Sequence, residues 1–205
     1  MKPSLRRVWQ WARWPLFILG AAYVAVVLYR VWAIGEEEKT QQAVAHIHAQ
    51  KITLADVLGD NLPPPPSKQE NDATVEGVDA NNNGVRDDVE LAIFEKYPDS
   101  PRVRAAQLQY ALTQQMFLTE VFDSETWKAV AEEDSRANFC LSLTHPRENL
   151  VEFGKIIDQR VSEVEGLVFN TRLRNEKKQE AFDFSTSYGL VNTNACDVSV
   201  DTLAR

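Results

Sequence analysis

The sequence predicts a mainly α protein, with one N-terminal transmembrane helix followed by a small helical bundle closed by a disulfide. Three observations carry this. An apolar run, WPLFILGAAYVAVVLYRVWAI, covers residues 14–34. Beyond residue 79 apolar side chains recur every three or four positions, and no stretch alternates with period two. The chain has two cysteines, Cys140 and Cys196.

The apolar run is long enough to cross a bilayer. Its 21 residues reach roughly 30 Å at about 1.5 Å per helical residue. Its one charge, Arg30, lies near an end, where a long side chain can reach the headgroups. Trp11 and Trp14 mark one interface, Tyr29 and Trp32 the other. Four basic residues precede the span and Glu36, Glu37 and Glu38 follow it. The positive-inside rule then places residues 1–35 as a cytoplasmic tail and anchor, with the rest outside. A cleaved signal peptide is the rival, since Val31-Trp32-Ala33 loosely fits a cleavage site. The run is longer than a usual signal core, and Arg30 and Trp32 crowd that site, so an uncleaved anchor is favoured.

Composition bounds what the remainder can do. The net charge is −8, and five basic residues without an acid before residue 36 leave −13 on the rest. Such an acidic body disfavours nucleic acid, whose phosphates need clustered Lys and Arg. Residues 36–78 read as a juxtamembrane helix and a stalk. EEEKTQQAVAHIHAQ is rich in helix formers, TLADVLG adds a short helical turn, and prolines 63–66 form a stiff segment. A proline strap packed on the domain is the alternative.

Residues 79–205 form the expected domain. DDVELAIFEKY is a short helix stopped by Pro98, and Ser100-Pro101 starts the next. In that helix Ala105, Leu108, Leu112 and Met116 form one stripe. Asp123 or Ser124 opens a helix through Trp127 towards Cys140. Pro146 opens another, with a core stripe of Leu150, Phe153, Ile157, Val161, Val164 and Val168. Asn170 or Thr171 caps a last helix that reaches Tyr188 and stops at Gly189. Outside the cytoplasm, Cys140 and Cys196 pair as a disulfide; two free thiols are the alternative. No C-x-x-C, G-x-S-x-G, H-E-x-x-H or phosphate-binding glycine loop is present, so an enzyme is disfavoured. His46 and His48 fall on different helix faces, suit zinc poorly and read as solvated. His145 and Glu148 read as a helix start.

One stretch has ligand spacing. In DANNNGVRDDVE, residues 79–90, oxygen donors stand at the first, third, fifth, seventh, ninth and twelfth positions: Asp79, Asn81, Asn83, the Val85 carbonyl, Asp87 and Glu90. Gly84 stands sixth, where the loop turns sharply. A twelve-residue calcium loop needs this pattern. The alternative is an Asn/Gly turn that caps the helix, with Asp87 and Asp88 near its positive end. The loop resembles that of EF-hands and the single loops of dockerin-like and thrombospondin-type modules. Arg86 stands where a paired EF-hand has an aliphatic residue, and no second loop follows, so the expected site is solitary. The stretches GVDANNNGVRDDVELAIFEKYPDS, FNTRLRNEKKQEAFDF and ACDVS resemble a group of uncharacterised bacterial envelope proteins over roughly residues 62–200. That resemblance implies an exported helical domain with a calcium-type loop, and no activity.

Together these readings predict a single-pass protein of the bacterial inner membrane. Residues 14–34 would sit in lipid, and a disulfide-closed, calcium-binding bundle would lie in the periplasm. Its expected role is an interaction or scaffold component of an envelope assembly, with a protein partner. Two other readings stay open: an envelope hydrolase using acids such as Glu148 or Glu152, and a calcium-responsive sensor.

Overall fold

Helix α1 runs from Leu5 to Ala49 without a break. The computed structural model describes residues 5–189 and 194–203, with the backbone alone for residues 5–13 and 16. Lys2 and the side chains of Arg6, Arg7, Trp11 and Arg13 therefore lie outside the described residues. The chain divides into two compact units, Met1–Gln42 and Ala43–Arg205.

The first unit holds one helix long and apolar enough to cross a membrane. Mean hydropathy reaches 1.9, and none of the apolar window is buried. Phe17 and Tyr23 are each 71% exposed. An apolar surface of this extent is unfavourable in water. Beyond the apolar stretch, Gln41 donates to Glu37 and Gln42 to Glu38 one turn back, which supports the helix where hydropathy falls.

The second unit is built around α5 (Pro101–Thr119). Around it pack α2 (Leu54–Leu58), α4 (Asp87–Lys96), α6 (Ser124–Ser142), α7 (Leu150–Val168) and α8 (Arg172–Phe182); α3 is the short turn Lys68–Asn71. No strand occurs among the described residues. The helix starts follow local chemistry. Thr53 and Asp56 form a capping box on α2, as do Asp123 and Thr126 on α6. Thr171 caps α8 by accepting from the Arg174 amide.

Periodicity assigns α5 one apolar stripe, whereas residues 103–118 are all buried. Three of its buried glutamines bond to groups distant in sequence, whereas Gln107 is buried with neither amide atom paired. Gln109 donates to the Ala195 carbonyl and accepts from the Asp197 amide. Gln114 donates to Asp134, and Gln115 to the Glu76 carbonyl. A buried amide is tolerated when it is hydrogen-bonded.

Two expected helix boundaries shift. Helix α7 starts at Leu150, not after Pro146, because Asn149 accepts from the Val151 and Glu152 amides and caps it there. Its stripe is core only in part: Val164 and Val168 are buried, but Leu150 is 72% exposed. Helix α8 ends at Phe182, well before Tyr188. Phe182 stacks on Phe117 at 5.2 Å, while Tyr188 returns to Trp127 at 5.8 Å and to Ser135 at 2.8 Å. Six further helical residues would carry Tyr188 about 9 Å onward and break that return.

Residues read as juxtamembrane helix and stalk pack in this unit from Ala43 on. Ile47, Ile52 and Val57 lie in its core, and Pro63 and Asn71 are buried. Cys140 and Cys196 form a disulfide. It joins α6 to the tail, where Asp197 accepts from the Ile52 amide and from Arg136. His48 is not merely solvated: its Nδ1 lies 2.8 Å from Glu133, which also accepts from Lys51 and Arg136. Burial opposes the charge on Glu133, yet its bonds to Lys51 and His48 and the charges of Lys51 and Arg136 hold its pKa below the ordinary value.

Candidate metal centre

Residues 79–90 close on themselves through their own carboxylates and amides. The Asp87 amide donates to the Val78 carbonyl at 2.8 Å, which brings the two ends together. Asp79 accepts from the Asn83 amide at 3.2 Å and from the Gly84 amide at 2.9 Å. Asn83 Oδ1 accepts from the Val85 amide at 2.8 Å, and Asp87 Oδ1 from the Ala80 amide at 2.9 Å. Asn82 and Gly84 adopt left-handed backbone, with φ of 55° and 84°. Asn tolerates that region and Gly occupies it without strain. A Cβ on Gly84 would also approach Leu112 to 2.6 Å, so packing of the loop on α5 adds a second reason for glycine.

The six expected ligand residues are therefore on one closed loop and the first turn of α4. Asn81 and Asn83 are half-buried, while Val85, Asp87 and Glu90 are buried. Glu90 is the most constrained. It is 1% exposed, its Oε2 accepts from Asn81 at 2.9 Å, and its Oε1 is buried without a partner. Burial pushes its pKa up to about 7, against the bond from Asn81 and the nearby Asn83 amide, with further repulsion from Asp56 and Asp87. Asp87 is also raised, first by burial and then by Asp79 and Asp88, although its Ala80 bond works the other way. Carboxylates crowded in low dielectric resist ionising together. A cation placed here would offset both the burial and the repulsion.

The residues present fit calcium in chemistry: hard oxygen donors, three carboxylates and two amides in one loop. They are not gathered in a carboxylate and imidazole cluster. Among the described residues no group of three or more His, Cys, Asp or Glu could hold a metal ion. The loop's amide oxygens supply what such a cluster would lack. Its present hydrogen bonds occupy several of the same acceptors, so a metal would have to exchange those bonds for coordination.

Arg86 pairs with Asp88 and with none of the expected ligand carboxylates. Its guanidinium is buried and donates to the Leu167 carbonyl at 2.6 Å, the Val168 carbonyl at 3.1 Å and Asp88. It thus satisfies the end of α7, where helical carbonyls lack intrahelical partners. Arg174, fully buried, does the same for residues 71–75, donating to the carbonyls of Asn71, Thr74 and Val75. Arg104 holds the carbonyls of Val57, Tyr97 and Pro98. Sequence patterns do not reveal these three braces. The one signal was Arg86 standing at an aliphatic position. Glu148 and Glu152, the acids considered for hydrolysis, are both exposed near the start of α7. Comparison of the chain with family models, with curated proteins and with solved structures finds no match.

Proposed function

We propose that the chain is a single-pass membrane protein whose helical body acts as a calcium-stabilised interaction module of an envelope assembly. The observation that carries the calcium reading is Glu90, a buried carboxylate with one oxygen unpartnered, at the twelfth position of a loop with donors at the other five. When bound, calcium supplies positive charge at a place where burial and neighbouring carboxylates disfavour ionisation. Asp79, Asn81, Asn83, Asp87, Glu90 and the Val85 carbonyl would hold it. Its part is structural: it fixes the loop and thereby the start of α4.

Membrane anchoring is supported by the exposed apolar helix, and the flanking charges favour a cytoplasmic N-terminus. A periplasmic body accords with the disulfide. Calorimetric titration of the full chain in mild detergent tests the metal. With two amide ligands, a dissociation constant of about 10⁻⁴–10⁻³ M is expected. Asp79→Ala and Glu90→Ala should abolish the heat signal, and no binding up to millimolar calcium in the unaltered chain would reject the site. Affinity purification in the same detergent tests the assembly; a solitary monomer would count against it.

A further inference from the structure

A cleft of about 460 Å³ lies beside the metal loop. Residues 81–84 of the loop line it, together with His46 and Ala49 at the end of α1, Gln50 just beyond it, and Asn61. Its volume falls within the range of binding pockets, but its lining is unusual. It contains no Phe, Tyr, Trp, Leu, Val or Ile. Its two charged residues are already engaged: Lys51 pairs with Glu133, and Asp56 is taken up in the cap of α2. What faces the cleft is chiefly amide. Among the described residues, the Asn61 side chain, Gln50 Oε1 and Asn82 Oδ1 have no hydrogen-bond partner.

Amides offer a donor and an acceptor side by side and carry no charge. They match a ligand with the same property. An extended peptide presents unpaired N–H and C=O groups along its length, and these must be satisfied. A sugar also offers donors and acceptors, but the cleft has no aromatic ring to cover the apolar face of a pyranose. We propose that this cleft is the docking site for an extended, uncharged peptide segment of the protein partner. For that partner the inference rests on the interaction reading above. Asn82 is central to it, because it stands between two expected metal ligands yet is itself exposed and left-handed.

The test uses the full chain in detergent micelles and saturation-transfer NMR. One probe is a pool of acetylated, amidated tetrapeptides of Ala, Gly, Ser and Asn; the other is a pool of neutral disaccharides. The variant combines Asn82→Gly, which suits the left-handed backbone while deleting the amide, with Asn61→Ala on an exposed side chain. Peptide transfer is expected in the unaltered chain, with affinity weakened roughly tenfold or more in the variant, as loss of two hydrogen bonds implies. No disaccharide transfer is expected. Absence of peptide transfer, or equal affinity in both proteins, overturns the proposal. So does disaccharide transfer that the variant abolishes. Calcium calorimetry on the same samples separates the two readings. Peptide transfer that the variant weakens, in a chain that binds no calcium, upholds the cleft and rejects the metal. An intact calcium signal without peptide transfer rejects the cleft alone.

Discussion

Arg86 donates to the main-chain carbonyl of Val168, 3.1 Å away in space and 82 residues away in sequence. This bond joins the loop of residues 79–90 to the end of α7. It explains why a cation is buried in an acidic loop without pairing with the expected ligands Asp79, Asp87 and Glu90. The guanidinium's five donors in a rigid plane serve carbonyl oxygens on one helix end and Asp88 beside it.

Replacing Arg86 by Ala should therefore destabilise the body by about 2–4 kcal/mol, since buried carbonyls and a carboxylate lose their donors. Arg86→Lys keeps the charge without the fork and should recover part of that loss. Urea unfolding followed by circular dichroism measures both. An unchanged midpoint for Arg86→Ala would show that the brace contributes nothing.

Glu90 makes stability depend on pH in a defined direction. Burial raises its pKa from 4.5 to about 7 in the folded chain. Its contribution is fully present below about pH 4.5 and is lost as pH rises through 7. Asp134, raised to about 6 first by burial, adds a slope of the same sign at lower pH. Comparing pH 6 with pH 8 thus reports mainly on Glu90. The metal-free chain should be about 1 kcal/mol less stable at pH 8. Glu90→Gln should remove most of that difference while preventing calcium binding. A rise in stability from pH 6 to pH 8 in the metal-free chain would contradict this account.

Breaking the disulfide should loosen the tail before the core. Cys140→Ser with Cys196→Ser removes a constraint worth on the order of 3–4 kcal/mol. The Asp197 amide, bonded to Gln109 at 3.0 Å, should lose its protection from hydrogen exchange while α5 amides stay protected at neutral pH. Equal protection of Asp197 in both proteins would mean that the Gln109, Arg136 and Ile52 bonds hold the tail unaided.

The helical class, the apolar N-terminal helix and the cysteine pair were legible because each rests on local information. So was the acceptor spacing of residues 79–90, since a twelve-residue loop carries its geometry within itself. The extent of α8 was not legible. Apolar spacing carries the pattern on to Tyr188, but residues 183–188, DFSTSY, are weak helix formers, and Tyr188 returns to Trp127 instead of extending the helix. The burial of Gln109 and Gln115 was not legible either: one apolar stripe leaves them outside it, and their partners lie 86 and 39 residues away along the chain.

Sequence by itself determined which segments are helical, which helix is apolar enough for a membrane, and where a loop places oxygen donors. Hydropathy, capping and ligand spacing act over a few residues and can be read there. Tertiary structure alone decided that residues from Ala43 on join the body, that Arg86 braces α7, and that Glu90 is buried with an oxygen unpartnered. Burial and long-range pairing set those outcomes, and both depend on what the rest of the chain brings alongside.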